Sequence, residues 1–153
     1  MGSFRKSTIN PPFVRSQAGL QSDAVTVTAT GTTGLNGAFI PAEASIVAIA
    51  STDAAHYVYL PLNYVAGTEI LISVGGAAGC ELRAIPSNPY EVFINGTKAA
   101  NQGSHATQLA LSAGGLYRCV ANGVNTGEDP ERLLWTITLI NANGSTATGG
   151  TPN

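Results

Sequence analysis

The chain has 153 residues, of which 44% are hydrophobic, and a net charge of −2. Only 10% are charged, well under the roughly 25% of ordinary soluble domains. These figures exclude global disorder and a generally basic nucleic-acid-binding domain, and they allow one domain with a sizeable core.

Charge is also unevenly placed. Residues 1–22 hold Arg5, Lys6 and Arg15 and no acid, whereas the rest holds four bases against all nine acids. A basic arm on an acidic body suits an acidic partner or a neighbouring copy. A surface built from Ser, Thr, Asn and Gln opposes self-association weakly, so an oligomer or lattice component is expected. The opening MGSFRKSTINPPF lacks the apolar stretch of a secretory signal, and no run approaches the roughly 18 apolar residues of a membrane helix. No membrane and no nucleic-acid partner are expected.

Residues 1–22 form a polar arm broken by Pro11-Pro12, with no helical or strand period. Ala24–Thr30 is a period-two strand rich in Val and Thr, followed by a glycine-rich turn region at Gly31–Gly37. Ile46–Ser51 and His56–Leu60 are the next strands. In the latter, Tyr57 and Tyr59 share one face, with His56, Val58 and Leu60 on the other. Thr68–Val74, Cys80–Ile85 and Tyr90–Ile94 then alternate with a period of two and read as a β-meander. Their separators are Gly75-Gly76-Ala77-Ala78-Gly79, read as a hairpin connection, and Pro86-Ser87-Asn88-Pro89. Asn95-Gly96 marks a tight turn, and Thr97–Ser104 a loop.

His105–Leu111 and Leu116–Ala121 read as a hairpin through Ser112-Ala113-Gly114-Gly115. A loop over 122–131 carries Glu128, Asp129 and Glu131, and Leu133–Ile140 closes the domain. The expected organisation is an arm over 1–22, a β domain over 23–141 and a Gly/Thr/Asn-rich tail over 142–153. The fold class is all-β: a single sandwich, jelly roll or small barrel of about nine strands.

Catalytic chemistry needs converging groups. His56 and His105 are the two histidines, and Ser104 beside His105 points to the opposite strand face. His56, Cys80, His105 and Cys119 stand singly, without the paired spacing of a zinc site. Neither a catalytic, a metal nor a cofactor site is therefore expected, and the chain is not read as an enzyme. Cys80 and Cys119 either staple two strands or remain free core thiols; without a secretory signal, free thiols are favoured. Glu81 and Glu91 lie on neighbouring runs and form the one carboxylate pair to check for glycosidase chemistry. Tyr57, Tyr59, Tyr64, Tyr90 and Tyr117 read either as sheet packing or as a sugar-stacking surface.

One ordered set of motifs spans residues 57–121. It comprises Leu60-Pro61, Val65-Ala66-Gly67-Thr68, an apolar strand, a glycine-rich turn, a strand ending at Ile85-Pro86, and Phe93-Ile94-Asn95-Gly96. The later Leu109-Ala110-Leu111-Ser112-Ala113-Gly114-Gly115-Leu116-Tyr117-Arg118-Cys119 follows in the same order. This segment resembles the small β-rich head decoration (cement) proteins of tailed bacteriophages. Trp135 stands outside the expected Gly-x-Trp closure, and the arm has no counterpart in the pattern. The resemblance implies a structural virion protein, made in the host cytoplasm and bound to the outer surface of an icosahedral head. Its implied partners are the major capsid protein and itself, as a homotrimer. Phe4, Arg5, Lys6, Phe13 and Arg15 of the arm are the expected shell or neighbour contacts. The alternative is a head or tail fibre module that binds host surface glycans.

Overall fold

The computed structural model describes residues 24–31, 36–61, 66–85, 91–98, 108–125, 132–140 and 146–148. The arm with its five expected contact residues, the acidic residues Glu128, Asp129 and Glu131, Tyr64, Tyr90 and His105 lie outside them, while residues 122–125, expected as the start of that loop, continue a strand. All regular structure among the described residues is β. The strands are β1 (Ala24–Thr28), β2 (Ala38–Phe39), β3 (Ile46–Ser51), β4 (Tyr57–Tyr59), β5 (Glu69–Gly76), β6 (Cys80–Arg83), β7 (Glu91–Ile94), β8 (Thr97–Lys98), β9 (Gln108–Leu111), β10 (Leu116–Asn125), β11 (Arg132–Ile140) and β12 (Thr146–Thr148). The three additions to the expected set are β2, β8 and β12. They are two or three residues long, too short to show a period.

The strands form an eight-stranded sheet, ordered β1-β3-β5-β10-β11-β7-β8 with β12 also on β11, and a four-stranded sheet, ordered β2-β4-β6-β9. From β1 to β6 the chain alternates between the sheets at every step. It thus winds as a coil whose successive turns pair in parallel. Ala24 lies beside Ile46 and Ile46 beside Leu71 in the large sheet, while Phe39, Tyr59 and Arg83 align in the small one. An internal repeat underlies the coil. Val25-x-Val27, Val47-x-Ile49 and Ile72-x-Val74 occupy equivalent inner positions, and Ile40-Pro41, Leu60-Pro61 and Ile85-Pro86 follow the second strand of each turn.

Two expectations are corrected here. The run from Thr68 to Ile94 is not a meander, because β5 and β7 belong to the large sheet and β6 to the small one. Nor do β9 and β10 form a hairpin: β9 pairs with β6, and β10 inserts between β5 and β11. Period-two alternation reports which face is buried. It is silent on whether the next strand folds back in its own sheet or crosses to the other. Gly75 and Gly76 still belong to β5, beside Ala50 and Ser51, and only Ala77-Ala78-Gly79 forms the arch between sheets. A Cβ at Gly79 would stand 2.2 Å from the Leu111 carbonyl oxygen, so only glycine lets the arch pass that backbone.

Between the sheets lies one core. Val47, Ile49, Ile70, Ile72, Cys119, Trp135 and Ile137 of the large sheet meet Val58, Leu60, Leu82, Leu109 and Leu111 of the small one, all buried. The row Val25, Val47, Ile72, Tyr117 and Leu139 crosses five strands in register. Full burial of each such aliphatic side chain is worth roughly 1.5–3 kcal/mol.

The far end of the coil is closed by antiparallel strands and by one asparagine. Asn95 and Gly96 have φ of 47° and 84°, the two positive values of a type I′ turn, as the Asn-Gly dipeptide predicts. The Asn95 side chain then acts as an extra peptide unit. Its Nδ2 donates to the Ile137 carbonyl (3.2 Å) and its Oδ1 accepts from the Ile137 N–H (2.7 Å). On the same side of β11, β7 pairs Arg132 to Trp135 and β12 pairs Thr138 to Ile140, so Asn95 satisfies the residue between them. Replacing Asn95 with Ala leaves a backbone donor and acceptor unpaired. A loss of about 1–3 kcal/mol in urea unfolding is expected, with Asn95→Asp intermediate because it retains only the acceptor.

Candidate functional site

The outer face of the small sheet carries the densest group of chemically distinctive side chains. Register places Phe39, Tyr59, Arg83 and Gln108 in one row across all four strands, with Tyr57 and Glu81 in the row beside it. Alternation dictates this. Val58 and Leu60 point into the inter-sheet core, so Tyr57 and Tyr59 point out. Both tyrosines are nevertheless covered, at 0% and 4% exposure. A Cβ on Gly37 would lie 2.2 Å from the Tyr57 ring, so the glycine backbone sits directly on that ring. The Asn36 N–H donates to the Tyr57 hydroxyl at 3.1 Å.

Arg83 ties the cluster together. Its Nη2 donates to Glu81 Oε2 (2.6 Å) and to Gln108 Oε1 (2.7 Å), and its guanidinium lies 3.8 Å from the Tyr57 ring centroid. Cation–π contact and a charge-assisted hydrogen bond are both strengthened where water is excluded. Arg83 Nε is buried without a hydrogen-bond partner. Burial first, and the adjacent Tyr57 second, hold the Tyr59 phenol above its ordinary range, against the opposing pull of Arg83. Phe39 stacks on Tyr59 with centroids 4.9 Å apart and is 40% exposed. The cluster therefore offers one open aromatic face backed by a covered polar network in which the Arg83 Nε lacks a partner.

The other expected site residues do not converge. Glu81 is on β6 of the small sheet and Glu91 on β7 of the large one, so they do not lie on neighbouring strands, and the Glu81 carboxylate is engaged by Arg83. Tyr57, Tyr59 and Tyr117 are buried, which agrees with the sheet-packing reading of these tyrosines and not with a sugar-stacking surface. Phe39, passed over in the sequence because a two-residue strand has no period, is the aromatic that reaches solvent. His56 precedes β4, and its Nδ1 is buried without a hydrogen-bond partner. Among the described residues, no group of three or more His, Cys, Asp or Glu comes together. Cys80 and Cys119 are free and buried, one in each sheet. Burial, with Glu81 adding a smaller effect, pushes the Cys80 thiol up to about 11, and burial raises Cys119 as well.

The outer face of the large sheet is different in kind. Thr26, Ala48 and Ser73 align in register, flanked by Leu71 and Ile46. Its ion pair joins Arg118 to Glu69 through two 2.7 Å bonds, which hold the Glu69 carboxyl below its usual range. Apart from that pair, the side chains described on this face are uncharged.

No protein-family model matches this chain, and neither the curated proteins nor the solved structures give a significant match.

Two outcomes follow from the buried groups. Arg83→Ala strands the Glu81 carboxylate in a dry site and is expected to cost about 3 kcal/mol in chemical unfolding, while Arg83→Lys retains part of that. The raised thiols favour the protonated form in the folded state, so their contribution is complete below the unfolded value of roughly 8.5 and is lost as pH rises toward the folded one. Urea midpoints are therefore expected to fall between pH 8 and pH 10.5 in the wild type and less in a Cys80→Ala, Cys119→Ala double variant.

Proposed function

We propose that this chain is a structural protein of a bacteriophage virion, a cement protein that decorates the outside of the icosahedral head and bridges neighbouring copies of the major capsid protein. The motifs of residues 57–121 carry the resemblance, and they fall on the contiguous run from β4 to β10. The observation that carries the reading is the outer face of the large sheet. It is backed by the core, and its charge is self-neutralised by Arg118 and Glu69. Such a face suits docking on a protein lattice, where a free charge would have to be desolvated.

Reinforcement then follows from linkage. A protein that binds only the assembled shell stabilises it by its binding free energy, and many symmetric copies add through multivalency. The basic arm, with Phe4, Arg5, Lys6, Phe13 and Arg15, supplies the reach to a neighbouring subunit in this reading, and three-fold association is its expected copy arrangement.

A second reading rests on Phe39. An exposed ring backed by Tyr59, beside Arg83, Glu81 and Gln108, is the composition of a sugar-stacking subsite. Under it the protein is a fibre or receptor-binding module. Glycan binding by the isolated protein, lost in Phe39→Ala, distinguishes the two.

The test is binding to heads stripped of accessory proteins. The full chain is expected to sediment with them and raise their temperature of genome release. A chain lacking residues 1–20 is expected to bind at least tenfold more weakly while keeping its β-rich circular dichroism. Ala48→Glu, on the exposed outer face, is expected to weaken binding without changing the unfolding midpoint. Gold-labelled antibody over heads supports the cement role. Label at tail or fibre tips replaces it with the adhesion reading, and absence of label from virions refutes both.

A further inference from the structure

The coil is finished at one end and unfinished at the other. Its last turn is followed by antiparallel β9 and β10, whereas its first turn leaves β1 and β2 as the edge strands of the two sheets. Among the described residues, no strand pairs with the outer side of either. Natural edges are ordinarily blunted by a charge, a proline or a bulge. Ala24–Thr28, Ala38–Phe39 and Ile46–Ser51 contain no charged residue and no proline.

The core is also incomplete there. Val25 begins the inner row whose next members, Val47 and Ile72, are fully buried, yet Val25 itself is only partly buried because the row stops. On the outer faces, outside that core, the large hydrophobic side chains exposed among the described residues are Phe39, at 40%, and Ile46, at 36%. Both belong to this end. Ile46 pairs with Ala24, which is too small to cover it, and Phe39 has Tyr59 on one side only. In stacked-repeat architectures an uncapped terminal repeat with an apolar edge is an assembly surface.

We propose that the occupant of this edge is a second copy of the chain, joined by antiparallel pairing of β1 with β1 across a two-fold axis at Thr26. An antiparallel pair of identical strands has its two-fold normal to the sheet. The operation therefore keeps each sheet in its own layer and brings the two β2 edges to the same junction. Centring on Thr26 sets Val25 opposite Val27 of the second copy on the inner face, which extends the inter-sheet core across the junction. On the outer face Thr26 meets its own copy and Ala24 meets Thr28, pairs that fit a pleated surface. A two-fold places every group at the axis against itself, so a charged edge would repel its copy; this edge has no charge to repel. Head-to-tail addition onto β8 or β9 would be heterologous and would propagate into a fibre instead of closing. The proposal does not rest on the virion reading, but it departs from it in one respect, two-fold in place of three-fold association.

Sedimentation velocity on the full chain tests it, with Thr26→Lys, Thr26→Glu and an equimolar mixture of the two. Thr26 is exposed, so both variants are expected to keep the wild-type circular dichroism, and each to melt somewhat below the wild type because the stabilisation linked to dimer formation is lost. The wild type is expected to sediment as a dimer, and each variant alone to dissociate at least tenfold more readily. The mixture is expected to restore a heterodimer, because opposite charges then face each other at the axis. A wild-type monomer, a trimer indifferent to both substitutions, dimers that persist in the single variants, or a mixture that stays monomeric each overturns the proposal.

Discussion

Parallel pairing between successive turns is the constraint on which the rest of this protein depends. Parallel neighbours cannot be joined by a tight turn and need a crossover, which most folds build from a helix. Here the crossover is itself a strand, β2 between β1 and β3 and β4 between β3 and β5, and these strands pair in parallel in the second sheet. One device therefore makes both layers at once. It also explains why a chain with parallel strands has no helix among its described residues, and why side chains of equivalent positions, such as Val47 and Ile72, stack into rows that fill the core.

A coil of this kind has two ends with unequal needs. At the far end the chain reverses. β10 pairs antiparallel with β5, β11 with β10, and the parallel β7 returns beside β11. Asn95 bridges the interval between β7 and β12 by lending its amide to the ladder, so a turn residue also serves as a strand residue. The near end has no such closure among the described residues. Among the described residues, the two ends thus differ in how far their edge strands are paired, and the exposed large hydrophobic side chains Phe39 and Ile46 lie toward the near end.

Polarity is placed with equal economy. On the small sheet, Arg83 gathers Glu81, Gln108 and Tyr57 into a covered network, which fixes register across strands whose inner faces are all apolar. On the large sheet, Arg118 and Glu69 neutralise each other in the open, where such a pair contributes little to stability. What this second pair does accomplish is to remove net charge from that face. A chain with few charges thereby keeps two of its arginines from acting as surface cations.

The all-β class, the limits of β3, the Asn95-Gly96 turn and the two-faced character of most strands were legible in residues alone, because alternation and turn chemistry are local. Cys80 and Cys119 were legible as core thiols for the same reason. The pairing of strands was not. β5 and β6 alternate just as a hairpin would, and it is their assignment to different sheets, with Gly79 passing close to the Leu111 backbone, that makes their connection an arch. The fate of the tyrosines and of the glutamates was equally closed to local reading. Tyr57 is buried by the backbone of Gly37, and Glu81 is separated from Glu91 by assignment to different sheets. The sequence by itself determined which faces would be apolar and where the chain would turn. Tertiary structure alone decided which strands meet and which edge stays open, because backbone hydrogen bonds carry no side-chain identity and are allotted only when the whole coil closes on its core.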